Sequence, residues 1–163
     1  MTTDVKSIYQ ESLRNTHAEE SQGLAQMEQQ VKGLEAYPDY AALLNRHIAT
    51  TREQLRRIES AIEAAGTSVA GLREAVTGAV GTAGNAVHGV MPDATLKNLY
   101  AGYAFQYHQI AAYKSLAVIA EAAGFGGDAG WIGQTIAEEE AAARDVEAII
   151  PSVTRIFLAK QGQ

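Results

Sequence analysis

Tyr103-Ala104-Phe105-Gln106-Tyr107-His108-Gln109-Ile110-Ala111-Ala112-Tyr113 sits in the middle of a long helical pattern, and its reading decides how the chain is built. At helical spacing, Leu96, Leu99, Tyr103, Gln106, Ile110 and Tyr113 form one inward stripe with Gln109 beside it. Amides therefore interrupt a seam that the periodicity makes apolar. Burying an unpaired amide costs on the order of 1 to 3 kcal/mol, so Gln106 and Gln109 require polar partners at the same depth on other helices.

Outward from this stretch, the pattern predicts four long helices. The first, residues 4–34, starts at a capping Thr3 or Asp4 and has the seam Val5, Tyr9 with Ile8, Leu13, Thr16 or His17, Glu20, Leu24, Met27, Val31 and Leu34. Glu20 thus falls on the buried stripe near the helix midpoint. Tyr37-Pro38-Asp39 breaks the chain, and Pro38 suits the first turn of a second helix over 38–65 that ends before Gly66. Its seam reads Tyr40, Leu43, Leu44, His47, Thr50 or Thr51, Gln54, Ile58 and Ile62. Arg52, Glu53, Arg56, Arg57 and Glu59 read as a solvated face. The third helix covers 93–123. The fourth covers 129–160 after Gly126-Gly127-Asp128, and carries Glu139 on its seam. Pro151 removes a helical hydrogen bond and should kink or restart that last helix. Between the two hairpins, residues 66–92 are rich in Gly, Ala and Val. They read as a short crossover helix over about 69–87, held by packing because mid-helix glycines weaken it.

Composition narrows the function classes. A chain of 163 residues with 47% hydrophobic content reads as one domain, 1–163, of all-α class. A formal charge of −6 argues against nucleic-acid backbones as partners, since phosphate binding wants a basic face. Without cysteine, any metal would have to be held by carboxylate, imidazole or amide oxygen ligands. No leader-like start and no apolar run of membrane-spanning length is visible, so the sequence reads as a soluble cytoplasmic protein with no membrane partner. No nucleophile triad, phosphate loop or dinucleotide fingerprint appears, and no catalytic residue is assigned.

Two helical hairpins joined by a long crossover give a four-helix bundle of ferritin-like connectivity. In such a bundle Glu20, the stretch from His47 to Gln54, Gln106 with Gln109, and Glu139 fall in one layer. That arrangement is the one a carboxylate-bridged two-metal site uses. A usual two-iron site, however, draws about four carboxylates and two histidines, and this seam offers two carboxylates and one well-placed His47. His17 and His108 lie near the seam but suit a surface or boundary role. Tyr100, Tyr103, Tyr107 and Tyr113 could donate electrons beside iron, but aromatics at helical spacing are usually core.

Over about residues 8–150 the chain also resembles the YciE/YciF group of stress-associated bacterial ferritin-like proteins. The resemblance rests on Ala18-Glu19-Glu20-Ser21-Gln22, on His47 through Glu59, on Gln106 through Tyr113, and on Thr135-Ile136-Ala137-Glu138-Glu139. It implies a ferritin-like fold. It also implies a metal site from which this sequence departs, having Thr50, Gln106, Gln109 and Ala143 where the family pattern has acids. The candidate metal residues are Glu20, His47, Thr50, Gln106, Gln109 and Glu139, with iron or manganese as the ion if one is bound. Three functions follow as expectations. The first is a stress-associated structural or binding protein with a degraded two-metal centre, forming a homodimer. The second is a di-iron or di-manganese oxidase or ferroxidase using Glu20, His47 and Glu139. The third is a helical protein-interaction module whose polar layer fixes register.

Overall fold

The computed structural model describes residues 4–69 and 93–162. Four helices make up nearly all of this: α1 (Val5–Gln30), α2 (Pro38–Ala64), α3 (Ala94–Ala122) and α4 (Ala129–Gln161). Asp4 caps α1 by accepting a hydrogen bond from the Lys6 amide. The α-helical part of α1 ends four residues earlier than the periodicity predicts, because the chain tightens into a 3-10 turn over Val31–Gly33 before Pro38 begins α2. Leu34 still reaches the core from beyond that turn.

The helices α2 and α3 close in the same way. Gly66 and Gly124 have φ of 78° and 84°, which only glycine adopts without strain. The following amides of Thr67 and Phe125 reach back to the carbonyls of Ile62 and Ala120 at 3.1 and 2.8 Å. Contrary to the expected break, α4 runs on through Pro151. The proline is exposed, and the hydroxyls of Ser152 and Thr154 bond the carbonyls of Ile149 and Ile150 around it.

Around the bundle, α1 packs on α2 and α3, and α4 packs on the same two helices. Side-chain pairs fix the directions. Tyr9 at the start of α1 donates to Asp128 just before α4 and stacks on Phe125, while Glu20 meets Tyr113. On the opposite side Gln54 meets Glu139, and His47 faces Asp145. Neighbouring helices are therefore antiparallel, and the diagonal pair α2 and α3 is parallel. This is the ferritin-like four-helix bundle. The expected crossover helix lies outside the described residues apart from Val69, which packs at the edge of the core.

The core is divided. One apolar cluster, built around Tyr9, Leu13, Ile58, Ile62, Leu116 and Ile132, fills the end where α1 starts. A second, built around Tyr37, Tyr40, Leu43, Leu99, Val146 and Val153, fills the other end. Between them the bundle closes on polar side chains. At that level Gly23 of α1 lies against Phe105 of α3 so closely that a Cβ there would fall 2.7 Å from the ring.

Candidate functional site

Each helix delivers its polar residues to the waist by the same spacing that buries its apolar ones. Glu20 lies seven residues beyond Leu13 on α1. Gln54 lies four before Ile58 on α2, Gln106 and Gln109 lie four and one before Ile110 on α3, and Glu139 lies seven beyond Ile132 on α4. Gln109 is fully buried, and Glu20, Gln54 and Glu139 are at most 4% exposed. Four amphipathic helices thus place two acids and three amides in one dry layer.

The acids are held by donors. Tyr113 donates to Glu20 Oε1 at 2.8 Å, and Trp131 packs edge-on against the Tyr113 ring. Gln54 donates through Nε2 to Glu139 Oε1 at 2.7 Å and to Glu138 Oε2 at 3.2 Å. Arg57 reaches Glu138 Oε2 at 2.6 Å and the Thr135 hydroxyl at 3.1 Å. Burial pushes the Glu20 carboxyl well above the usual carboxylate range. The Tyr113 hydroxyl, the Gln109 amide beside it and the more distant Arg57 only partly offset this, and Glu19 adds to it. Glu139 moves the same way, again first through burial and next through the negative charge of Glu20. The pair behaves as two neighbouring acids that resist ionising together. Burial also lowers the His47 imidazole, against the opposing pull of Asp145. Near neutral pH this layer therefore resists carrying two negative charges at once.

Of the residues expected to act together, Glu20, Gln109 and Glu139 lie in the layer. His47 and Gln106 border it, and both line a cavity of about 220 Å³ that also touches Glu139 and opens between α2 and α4 near Arg46 and Asp145. Thr50 lies at the edge of that cavity, half-buried, with its hydroxyl turned to the carbonyl of Arg46 at 3.2 Å; Thr51 is the buried member of the pair. His17 and His108 are drawn outward to Glu59 and Glu19, each at 3.1 Å.

Arg57 corrects the reading of α2 as solvated on that side. It is mostly buried and serves Glu138, a role signalled by its position three residues beyond Gln54 on the same face. Tyr113 likewise does more than pack, since its hydroxyl is the donor to Glu20.

A two-metal carboxylate centre does not fit this set of donors. Two divalent ions bring a charge of about +4 into a low-dielectric core, and the layer has only Glu20 and Glu139 to meet it, because Glu138 is committed to Arg57. Among the described residues, no group of three or more His, Asp or Glu side chains is placed to hold a metal.

The sequence matches the family model described as "Domain of unknown function (DUF892)" over residues 4–159. The chain belongs to the DUF892 family. A crystal structure of a protein from Xanthomonas campestris pv. campestris is similar to this DUF892 chain, with a TM-score of 0.80 at 20% sequence identity, covering 99% of this chain and 100% of that one. At that identity the likeness establishes the fold the two share. Among the described residues of this DUF892 member, no helix is long and apolar enough to cross a membrane.

Proposed function

We propose that this chain is a stress-associated structural or binding protein of the YciE/YciF kind, cytoplasmic and homodimeric, whose ancestral two-metal centre has been altered rather than kept for oxidase chemistry. The observation that carries this reading is the composition of the waist. Amides at Gln106 and Gln109 stand beside two acids whose carboxyls are already engaged by Tyr113 and Gln54. An oxidase centre needs its carboxylates ionised and facing metal, and this layer instead disfavours their ionisation. The exposed Tyr100, Tyr107 and Val118 on α3 offer the apolar surface that a homodimer would cover.

Elemental analysis of protein purified without chelator tests the reading. Fewer than two tightly held transition-metal ions per chain is the expected result, and two irons or two manganese ions per chain would overturn it in favour of an oxidase or ferroxidase. Sedimentation of the wild type and of Tyr107→Glu tests the dimer. A monomeric wild type sinks that part of the proposal.

A further inference from the structure

The cavity between α2 and α4 holds more space than its own wall uses. At about 220 Å³ it exceeds the roughly 150 Å³ within which an engineered protein cavity admits benzene. Two side chains of its wall are more than nine-tenths buried and keep a polar atom without a hydrogen-bond partner. These atoms are Nε2 of His47 and Oε1 of Gln106, each residue being 7% exposed. Buried polar groups in folded proteins are nearly always satisfied, so two exceptions in the wall of one cavity call for an occupant.

The wall narrows what that occupant is. His47 Nε2 lies 4.0 Å from Asp145 Oδ2, too far for a direct hydrogen bond. A single hydroxyl between them bridges that gap, accepting from the imidazole and donating to the carboxylate. Gln106 presents a primary amide, and a half-turn exchanges its oxygen and nitrogen within the same volume. A hydroxyl serves either atom, because it both donates and accepts. The Thr50 hydroxyl spends its proton on the Arg46 carbonyl and keeps its lone pairs for a further donor. The wall thus offers three separate places for a hydroxyl. Ala141 and Ala142 add a small apolar face suited to the C–H groups between them. Apart from His47, none of the described residues lining the cavity carries a ring, so a flat heterocycle or a sugar ring has little to stack on.

We infer that this cavity binds a small, neutral, acyclic polyol of roughly four to six carbons, held by His47, Asp145, Gln106 and Thr50. The inference rests on the reading of the chain as a binding protein whose two-metal centre is altered, and it names the class of ligand. Charge agrees with a neutral occupant. Arg46 and Asp145 face each other at 3.7 Å across the mouth, and Arg57 answers Glu138. Glu139 already accepts from Gln54 and resists ionising beside Glu20. Both partners at the mouth are more than half exposed, so they can part as a ligand enters. Water also fills a polar cavity, and a molecule with several hydroxyls displaces it while reproducing its bonds.

Calorimetric titration of the full chain with ribitol, sorbitol, myo-inositol and succinate tests the inference. It is run at millimolar concentrations, well below those at which polyols stabilise proteins by exclusion from their surface. Ribitol or sorbitol should bind saturably, one molecule per chain, with a dissociation constant of about 1 mM or tighter. The ring resonances of His47 should shift along the same isotherm. Gln106→Leu should weaken binding by about tenfold or more. Ala141→Phe, at an exposed position in the wall, should fold by circular dichroism and abolish binding. No saturable binding of either acyclic polyol would leave water as the only occupant; it overturns the inference and leaves the proposed function standing. Binding that survives Ala141→Phe, or that leaves His47 unshifted, overturns the site. Tighter binding of myo-inositol or succinate overturns the class of ligand. Two transition-metal ions per chain, read by elemental analysis independently of any polyol, would overturn the function on which the inference rests.

Discussion

The end of the bundle around Leu13 and Ile58 and the waist around Glu20 and Gln109 are equally buried, yet they are held by opposite physics. At the end, close packing of aliphatic and aromatic side chains excludes water and asks nothing further of its neighbours. At the waist, burial raises the cost of every charge and every amide without a partner, and Tyr113, Gln54 and Arg57 repay only part of that cost. The comparison teaches that the ends supply stability, while the waist lowers it and is free to serve as a site.

The strongest way to break the comparison is to make the waist still more acidic. Gln106→Glu with Gln109→Glu would put four carboxylates in the layer, and metal-free protein should lose on the order of 5 kcal/mol through burial of like charge. The same variant should regain stability with two manganous or ferrous ions, since an ion that binds only the folded state stabilises it by mass action. Melts that show no more metal response than wild type would mean that these residues do not share a layer. Thr50 is left out of this change because its hydroxyl faces its own helix.

Next comes the apolar end. Leu13→Ala should cost about 2 to 5 kcal/mol by leaving a cavity among residues that are fully buried. A loss under about 1 kcal/mol in denaturant titration would show that the end collapses easily and is not the rigid part.

A smaller effect, of opposite sign, is expected from neutralising the waist. The folded protein holds the protons of Glu20 and Glu139 more tightly than the unfolded chain does, so their contribution is fully present below the ordinary value of 4.5. It declines as pH rises from 4.5 through the raised folded-state values, up to about pH 8. In metal-free protein at pH 8, Glu20→Gln with Glu139→Gln should therefore raise stability by roughly 1 to 3 kcal/mol. The variant should also flatten the fall that wild type shows over that range. A parallel fall in both proteins would assign the pH dependence elsewhere. Least of all, Arg52→Ala should change stability by no more than about 0.5 kcal/mol, because its pair with Glu28 is exposed on both sides.

Much of this was legible in the sequence, for physical reasons that can be named. Pro38, Gly66 and Gly124 punctuate the helices because few other residues suit those backbone positions, and three- and four-residue spacing carries Glu20, Gln54, Gln109 and Glu139 inward with the apolar seam. What periodicity could not decide were choices between neighbours on one face. Thr51 rather than Thr50 turns inward by a rotation of one residue, and Arg57 is drawn in by Glu138 on a different helix. Nor could local rules foresee α4 continuing through Pro151, where packing along the whole helix outweighs one missing hydrogen bond.

The contact between Gly23 and Phe105 bears on timing rather than on strength. A small pocket on the α1 and α3 side, bordered by Gly23, Phe105, His47 and Gln106, backs onto the same two polar residues that line the larger cavity. The Phe105 ring lies so close to the bare Gly23 backbone that no side chain fits between them. The Phe105 ring thereby packs shut the α1 and α3 side of the waist at this one contact. Gly23→Ala would displace the ring and loosen that closure, quickening exchange of the buried layer with solvent while leaving the polar residues of the waist unchanged.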